Sequence, residues 1–160
     1  MCLICERIED IRTGKNPCFV LELETGYVVL GDHQHFQGYT LFLYKKHVTE
    51  LDELDRDIRN LYLAEMADVA EVVKEVFQAE KMNMELLGNG DAHLHWHLFP
   101  RRAGDLGQYG HHGKGPVWWY PMELMYADDQ KIRQEDLITW REQLYAALTY
   151  QSSKDDKEGR

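Results

Sequence analysis

The sequence predicts an α+β fold, in which an antiparallel sheet of five strands carries one long helix between its third and fourth strands and a further helix near its C-terminal end. Two periodicities carry most of this prediction. Apolar residues recur at steps of three and four between residues 51 and 76, which is the period of a helix with one buried face. Residues 93–98 instead alternate strictly between histidine and apolar side chains, which is the period of a strand.

The first three strands precede the long helix. Residues 17–32, PCFVLELETGYVVLGD, are rich in β-forming residues on both sides of a turn-prone Thr-Gly pair and predict a hairpin. The segment YTLFLY at 39–44 predicts the third strand. Thr49 and Asp52 resemble a capping box, with Asp in place of the usual Glu, so we expect the long helix to begin directly after Thr49.

The last two strands follow the helix. MNMELL at 82–87 predicts the fourth strand, GNGD turns the chain, and DAHLHWHLFPRR at 91–102 predicts the fifth. The glycine-rich segment 104–116 is long for a loop in a compact domain, which indicates a role beyond connection. A final helix is predicted over residues 135–150.

The composition limits the classes of protein to which the chain can belong. Its 160 residues, 44% of them hydrophobic, suffice for one domain with a single core, which we place at residues 1–150; the polar residues 151–160 predict a disordered tail. The net charge of -10 disfavours a surface that binds a nucleic acid polymer. A local cluster of donors can still hold a small anion such as a nucleotide phosphate.

Nothing in the sequence predicts a membrane partner. No run of about eighteen apolar residues occurs, and MCLICERIED at the start lacks the basic and apolar regions of a signal peptide. Three cysteines are an odd number, which does not fit the disulfide framework of a small secreted domain. We therefore expect a cytoplasmic protein with reduced thiols.

Three histidines, His93, His95 and His97, occupy every second position of the predicted fifth strand. Side chains at this spacing lie about 6 to 7 Å apart on one strand face, and the apolar residues between them then face the core. Such a row is suited to metal ligation, or to nucleophilic attack on phosphorus by the middle imidazole with its neighbours in support. A polar strand face without chemistry is the third alternative, which three histidines in strict alternation disfavour.

The histidine run carries a family resemblance. HLHWHLF matches, at every position, the His-apolar-His-apolar-His-apolar-apolar motif of the histidine triad superfamily. GYTLFLYKKHVTELDEL is similar to the segment of that family in which a strand ends in Pro-Lys-x-His and leads into a long helix, although Tyr44 stands in place of the proline. The resemblance covers residues 2–102 and is greatest to the branch of dinucleoside polyphosphate hydrolases.

The resemblance implies a role for each histidine of the motif. In the family, the middle histidine attacks the α-phosphorus of a nucleotide and forms a covalent nucleotidyl-histidine, which water or another acceptor then resolves. By position, His95 would be the nucleophile. His97 would hold the phosphate oxygens and assist the leaving group, and His93 would orient the strand.

The resemblance also implies a structural Zn²⁺. Some branches of the superfamily bind zinc through a C-x-x-C near the N-terminus, the histidine that ends the strand before the long helix, and the first triad histidine. These four positions are Cys2, Cys5, His47 and His93. A metal held there would fix the strand next to the nucleophile and would not take part in the attack. Cys18 has no partner in this scheme and is expected in the core.

Three candidate nucleotide contacts match the family loosely. Tyr39 stands where the family often has a histidine that lines the nucleotide site. Asp32 lies one residue from the position of a family acid or amide that holds the ribose hydroxyls, and Asn89 matches an asparagine or glutamine that touches phosphate or ribose. We expect Asp32, Asn89 and Tyr39 to line the site, although the sequence GNGD also suits Asn89 as a turn residue.

The leading hypothesis is a hydrolase of dinucleoside polyphosphates such as diadenosine tetraphosphate. A nucleoside phosphoramidase is the sister alternative, because the same nucleophile serves both reactions. A nucleotidyltransferase is less favoured, because the chain is far shorter than the two-repeat uridylyltransferases. A zinc-dependent hydrolase whose triad binds the metal, and a non-catalytic nucleotide-binding module, are alternatives from other classes. The resemblance further implies a homodimer.

Overall fold

The computed structural model describes the backbone of residues 2–158 and the side chains of residues 2–154. The helices and strands follow in the order α1 (Leu3–Arg12), β1 (Phe19–Glu22), β2 (Gly26–Leu30), β3 (Thr40–Tyr44), α2 (Arg56–Val76), β4 (Lys81–Glu85), β5 (His95–Arg101), α3 (Met122–Met125) and α4 (Gln134–Glu158). Short 3₁₀ turns lie at Leu51–Glu53, Val117–Trp119 and Asp128–Gln130.

The five strands form one antiparallel sheet in the order β1-β2-β3-β5-β4. The long helix α2 lies between β3 and β4 in the chain, and α4 follows the sheet, so the predicted fold class is confirmed. The order places β5, which carries His95 and His97, between two other strands. Its backbone is therefore held by hydrogen bonds on both sides, which gives the histidines a rigid support.

The two faces of β5 have different surroundings. Leu98 is fully buried and Trp96 is partly buried on the face that α2 and α4 cover, where the main core contains Phe42, Tyr62 and Leu144. His95 and His97 lie on the opposite face, because successive side chains of a strand alternate. The prediction that the apolar residues of the run face the core is confirmed.

α1 is a helix that the sequence analysis does not predict. Its apolar residues are few, and Ile4 and Ile8 pack on Tyr27 and Leu43 on the histidine side of the sheet. The backbone N–H of Leu3, at the first turn, donates to the Asp91 carboxylate at 3.1 Å. Both stabilising contacts come from residues distant in the chain, so the local pattern of MCLICERIED alone does not reveal the helix.

The start of α2 differs from its prediction. The helix begins at Arg56, and the expected capping box of Thr49 with Asp52 is wrong. The Glu53 carboxylate accepts hydrogen bonds from the backbone N–H and the hydroxyl of Thr49, each at 2.7 Å, and so closes the 3₁₀ turn Leu51–Glu53 ahead of the helix. The same carboxylate accepts the backbone N–H of Glu50 at 2.9 Å, so the capping acid is Glu53, one residue after Asp52.

The C-terminal helix is longer than predicted. α4 continues to Glu158, whereas the sequence predicts a disordered tail from residue 151; residues 159 and 160 of that tail lie outside the described part of the chain. Hydroxyls of Thr149 and Ser152 donate to helix carbonyls four residues earlier, so these polar side chains find their hydrogen-bond partners within the helix. Within residues 2–158, no helix combines the length and hydropathy that crossing a bilayer requires.

Gly38, two residues before β3, provides a test of the packing next to Phe77. Its φ is +91°, and a Cβ built on it would lie 2.4 Å from the Phe77 ring. Gly14 also has a positive φ, of +72°, but a Cβ there meets nothing within 4 Å. We expect Gly14→Ala to cost about 1 kcal/mol of unfolding free energy from backbone strain alone, and Gly38→Ala to cost about 2–4 kcal/mol because strain and overpacking combine.

Urea unfolding of the two variants measures this difference. Equal losses of unfolding free energy would show that Phe77 does not restrict Gly38.

Candidate active site and metal site

His95 lies at the start of β5 opposite Leu43 of β3, and His97 lies opposite Leu41 of β3 and Glu85 of β4. His95 is 5% exposed and His97 is partly buried. His93 precedes β5 and is 1% exposed, so the first triad histidine belongs to the loop that enters the strand. The structure therefore brings the three predicted histidines together on one side of the sheet.

The hydrogen bonds of His95 determine which of its nitrogens has a free electron pair. Its Nδ1 lies 2.5 Å from the backbone carbonyl oxygen of His93. A carbonyl oxygen only accepts, so Nδ1 carries the proton and Nε2 of the neutral ring carries the lone pair. Nε2 is the nitrogen that lies 3.0 Å from Nε2 of His97. The nitrogen of His95 that carries the lone pair is thus directed toward His97.

The same reasoning assigns His97. Because Nε2 of His95 is an acceptor, Nε2 of His97 carries the proton that lies between them. Nδ1 of His97 is then the acceptor for the Tyr39 hydroxyl at 2.6 Å. One directed chain of donors therefore runs from Tyr39 through His97 and His95 to the carbonyl of His93.

His97 is held in its neutral form. Burial, and secondarily the positive charge that His95 can carry, lowers the pKa of His97 from 6.5 to about 4. Its ring is nearly parallel to those of Tyr39 and Phe99, at interplanar angles of 8° and 2°. At neutral pH this ring is a hydrogen-bond donor through Nε2 and not an imidazolium.

A second group of side chains lies next to the first triad histidine. One ligand atom from each of Cys2, Cys5, His47 and His93 falls within 4.8 Å of the others. Cys5 Sγ is 3.3 Å from Nδ1 of His47 and 3.4 Å from Nδ1 of His93, and Cys2 Sγ is 3.8 Å from Nδ1 of His93. The four residues that the sequence singles out as metal ligands are therefore together.

These spacings suit a tetrahedral zinc ion. Zn–S and Zn–N bonds of about 2.3 and 2.0 Å, at a tetrahedral angle, separate sulfur from nitrogen by roughly 3.6 Å. Nε2 of His93 lies 2.9 Å from the carbonyl oxygen of Tyr44, which directs the ring proton there and leaves the Nδ1 lone pair for a metal. Burial lowers the pKa of His93, so the imidazole is neutral, as ligation requires.

Asp32 and Asn89 lie outside both groups among the described residues. The Arg7 guanidinium donates to both carboxylate oxygens of Asp32, and the Cys18 thiol donates to one of them at 3.6 Å. Burial opposes ionisation of Asp32, but the hydrogen bonds and charge of Arg7 lower its pKa. Asn89 is exposed in the turn before His93. Their predicted contacts with a nucleotide stay predictions.

The glycine-rich segment 104–116 is fixed to the triad strand by Arg101, the last residue of β5. The Arg101 guanidinium donates to both oxygens of the Asp105 carboxylate, each at 2.8 Å, and to the carbonyl of Gly115 at 3.2 Å. One side chain thus holds both ends of the segment. Sequence reasoning did not identify this contact, although an Asp four residues after an Arg was its available signal.

Glu85 joins the next part of the chain to the site. Its carboxylate accepts the backbone N–H of Val117 at 3.2 Å, and burial raises its pKa. Trp118 and Trp119 follow directly and are 61% and 44% exposed. The hydrogen bond therefore ties the chain just before these tryptophans to β4, the strand beside β5.

Comparison with known proteins agrees with this geometry. A family model described as the HIT domain matches residues 13–104. The chain is 29% identical over 137 residues to the protein hit of Bacillus subtilis, covering 81% of this chain and 83% of that protein. Both the sequence and the histidine strand thus point to one family.

Solved structures share the fold. A histidine triad protein of Sinorhizobium meliloti superposes with a TM-score of 0.69 at 22% identity, covering 86% of this chain and 94% of that one. A histidine triad family protein of Mycobacterium smegmatis, described as zinc-bound, superposes with a TM-score of 0.62 at 20% identity and covers 96% of each chain.

The environment of His97 predicts acid sensitivity. The unfolded chain binds a proton at this ring near pH 6.5, whereas the folded chain binds it only near pH 4. The free energy of unfolding therefore falls as the pH falls between these values. From pH 7 to pH 5 we expect the loss to be about 2 kcal/mol. His97→Asn removes the titrating group, so its unfolding free energy should fall by about 2 kcal/mol less than that of the unmodified protein over the same interval.

Chemical unfolding of the unmodified protein and of His97→Asn at pH 7 and pH 5 measures this difference. The contributions of groups that titrate alike in both proteins cancel in the comparison. Identical pH dependence would show that His97 titrates alike in the folded and unfolded chains.

Proposed function

The chain belongs to the HIT domain family, and from that premise we propose that it is a nucleotide hydrolase that attacks an α-phosphorus with Nε2 of His95. The observation that carries the proposal is the direction of the donor chain. Nδ1 of His95 is committed to the His93 carbonyl, which leaves the Nε2 lone pair for attack, and Nε2–H of His97 lies 3.0 Å away. An oriented lone pair beside a donor is what nucleophilic attack on a phosphoryl group requires.

The reaction has two displacements. In the first, a bond forms between Nε2 of His95 and the α-phosphorus, and the bond from phosphorus to the leaving oxygen breaks, with its electron pair remaining on that oxygen. In the second, a water oxygen bonds to phosphorus and the nitrogen–phosphorus electron pair returns to Nε2. One water proton is released to solvent, and the other stays on the product as a phosphate O–H, which ionises in turn above a pH of about 6. A covalent intermediate divides one difficult step into two easier ones.

The backbone carbonyl of His93 assists the first displacement. When Nε2 of His95 bonds to phosphorus, the ring acquires positive charge, and the hydrogen bond from Nδ1–H to that carbonyl then becomes charge-assisted. His97 donates its Nε2–H to a phosphoryl oxygen once the His95 lone pair is engaged. These residues orient and stabilise, and no proton has to be transferred in this step.

The state of His97 favours dinucleoside polyphosphates, such as diadenosine tetraphosphate, as substrates. A ring with a pKa of about 4 is neutral at pH 7 and is a poor general acid. A polyphosphate departs as a stable anion without a proton, whereas the amine of a phosphoramidate has to be protonated to leave. Phosphoramidate hydrolysis is therefore the second candidate, and a binding module without turnover is the third.

We also propose that Cys2, Cys5, His47 and His93 hold a structural Zn²⁺. The support is the fit of their ligand atoms to tetrahedral spacing and the direction of the His93 ring proton toward Tyr44. When bound, zinc would cross-link the start of α1 to the residue that also orients His95. A homodimer stays a prediction, for which β4, at one end of the sheet order, provides an edge.

Covalent catalysis can be tested by mass. We expect the full-length protein to hydrolyse diadenosine tetraphosphate faster than an adenosine phosphoramidate, and a denaturing quench at alkaline pH to trap one nucleotidyl group on the peptide that contains His95. His95→Ala should lose on the order of 10⁴-fold in kcat or more, because the nucleophile is absent. His111→Ala, at an exposed histidine of the glycine-rich segment, is the matched control and should retain activity.

Turnover by His95→Ala at the rate of the control would refute the proposed nucleophile. Faster hydrolysis of the phosphoramidate would reassign the leaving group, and nucleotide binding without turnover would support the binding module.

The metal proposal is tested with two cysteine variants. Cys5→Ser removes a ligand, and we expect it to lose zinc as measured by elemental analysis. Cys18→Ser changes a buried cysteine outside the group and should retain one zinc per chain. If free zinc exceeds its Kd a few hundred-fold, the lost binding amounts to about 3 kcal/mol of stability, which lowers the Tm by roughly 10 °C.

Equal zinc content in the two variants would show that Cys5 is not a ligand.

A further inference from the structure

Tyr39 is held more tightly than a residue that contacts a substrate requires. It is 6% exposed, and its ring stacks on Phe99 with centroids 4.3 Å apart and an interplanar angle of 7°. The ring also lies against the backbone of Gly31, where a Cβ would come within 2.2 Å of a ring atom. The aromatic ring is thus confined by a phenylalanine and a glycine.

The confinement directs the hydroxyl. The Tyr39 oxygen lies 2.6 Å from Nδ1 of His97. Because Nε2 of His97 carries the proton that faces His95, its Nδ1 is an acceptor and the Tyr39 hydroxyl donates to it. Burial raises the pKa of Tyr39 well above its ordinary value, so the hydroxyl keeps its proton.

We propose that Tyr39 is a positioning residue, whose hydroxyl acts together with the His95 lone pair to fix His97 as the Nε2–H tautomer and so keeps that N–H directed at Nε2 of His95. A neutral imidazole has two tautomers, and the local hydrogen bonds decide between them. In the opposite tautomer the Tyr39 oxygen would have to accept from Nδ1–H, with its own proton turned away from His97, and the lone pairs of His97 and His95 would face each other. Tyr39 acts through His97 and not by touching a nucleotide.

This inference gives Tyr39 a place in the proposed reaction. When the His95 lone pair bonds to phosphorus, Nε2–H of His97 loses its acceptor and becomes available to a phosphoryl oxygen without rotation of the ring. The part that concerns turnover rests on the proposed function. The tautomer of His97 does not depend on the proposed function, because it can be measured in the protein without substrate.

Nitrogen-15 NMR of the imidazoles tests the tautomer directly. In the full-length protein at pH 8, we expect the His97 signals, assigned by their loss in His97→Asn, to show a protonated Nε2 and an unprotonated Nδ1. Tyr39→Phe removes only the hydroxyl and should give a mixture of tautomers. Tyr62→Phe is the matched control, because Tyr62 is equally buried and loses a hydrogen bond to the Phe42 carbonyl on the other side of the sheet.

A second variant leaves the hydroxyl in place. Gly31→Ala should displace the Tyr39 ring and produce the same mixture of tautomers as Tyr39→Phe, because the added methyl group occupies the ring position. If a variant does not fold, the spectrum of the unmodified protein still tests the tautomer itself. A protonated Nδ1 at His97 in that spectrum would overturn the proposal.

Kinetics separates positioning from substrate contact. We expect Tyr39→Phe to lower kcat about tenfold with KM unchanged, since one orienting hydrogen bond is lost, and Tyr62→Phe to retain kcat. A raised KM with unchanged kcat would make Tyr39 a substrate contact, and an Nε2–H tautomer that persists in Tyr39→Phe would refute positioning. If the unmodified protein hydrolyses no nucleotide, the proposed function fails while the NMR result still decides the role of Tyr39.

Discussion

A backbone carbonyl oxygen can accept a hydrogen bond but cannot donate one, and this asymmetry organises the whole site. The carbonyl of His93 faces Nδ1 of His95, and the carbonyl of Tyr44 faces Nε2 of His93. Each carbonyl fixes one ring proton and so exposes the lone pair on the other nitrogen. The lone pair on Nδ1 of His93 is directed toward the thiols of Cys2 and Cys5, and the lone pair on Nε2 of His95 is directed toward His97. The backbone thereby divides three chemically identical rings into a candidate ligand, a candidate nucleophile and a donor.

The sheet makes this division possible because it holds β5 on both edges. One face of the strand is fully used by the core, which leaves the other face free for polar groups at fixed spacing. Two separate supports then complete that face. α1 brings two cysteines to one end of the histidine row, and the ring of Tyr39 closes the other end. His93 links the supports, because its side chain belongs to the first and its carbonyl to the hydrogen-bond chain of the second.

Local sequence patterns account for the strands and for the long helix, because periods of two and of three to four residues are local properties. α1 was beyond such patterns, since its N-terminal contact with Asp91 spans 88 positions. The metal-site residues followed from family resemblance and not from spacing. The contact of Tyr39 with His97 spans 58 positions, yet a signal existed. Tyr39 has the same parity as Leu41 and Leu43, which pair with the histidines, so a correct pairing of β3 with β5 would have placed it on their face.

The close approach of Gly31 to the Tyr39 ring has a meaning for how such chains diverge. The absent side chain of one residue is the space that the other occupies, with 2.2 Å between the ring and the position a Cβ would take. The two positions are therefore not free to drift separately. Any descendant that acquires a side chain at 31 has to shrink or move residue 39, and any that retains the tyrosine has to keep the glycine. Among relatives these two positions should covary. A glycine at 31 together with a tyrosine at 39 should identify the relatives in which a tyrosine hydroxyl orients the third histidine of the triad.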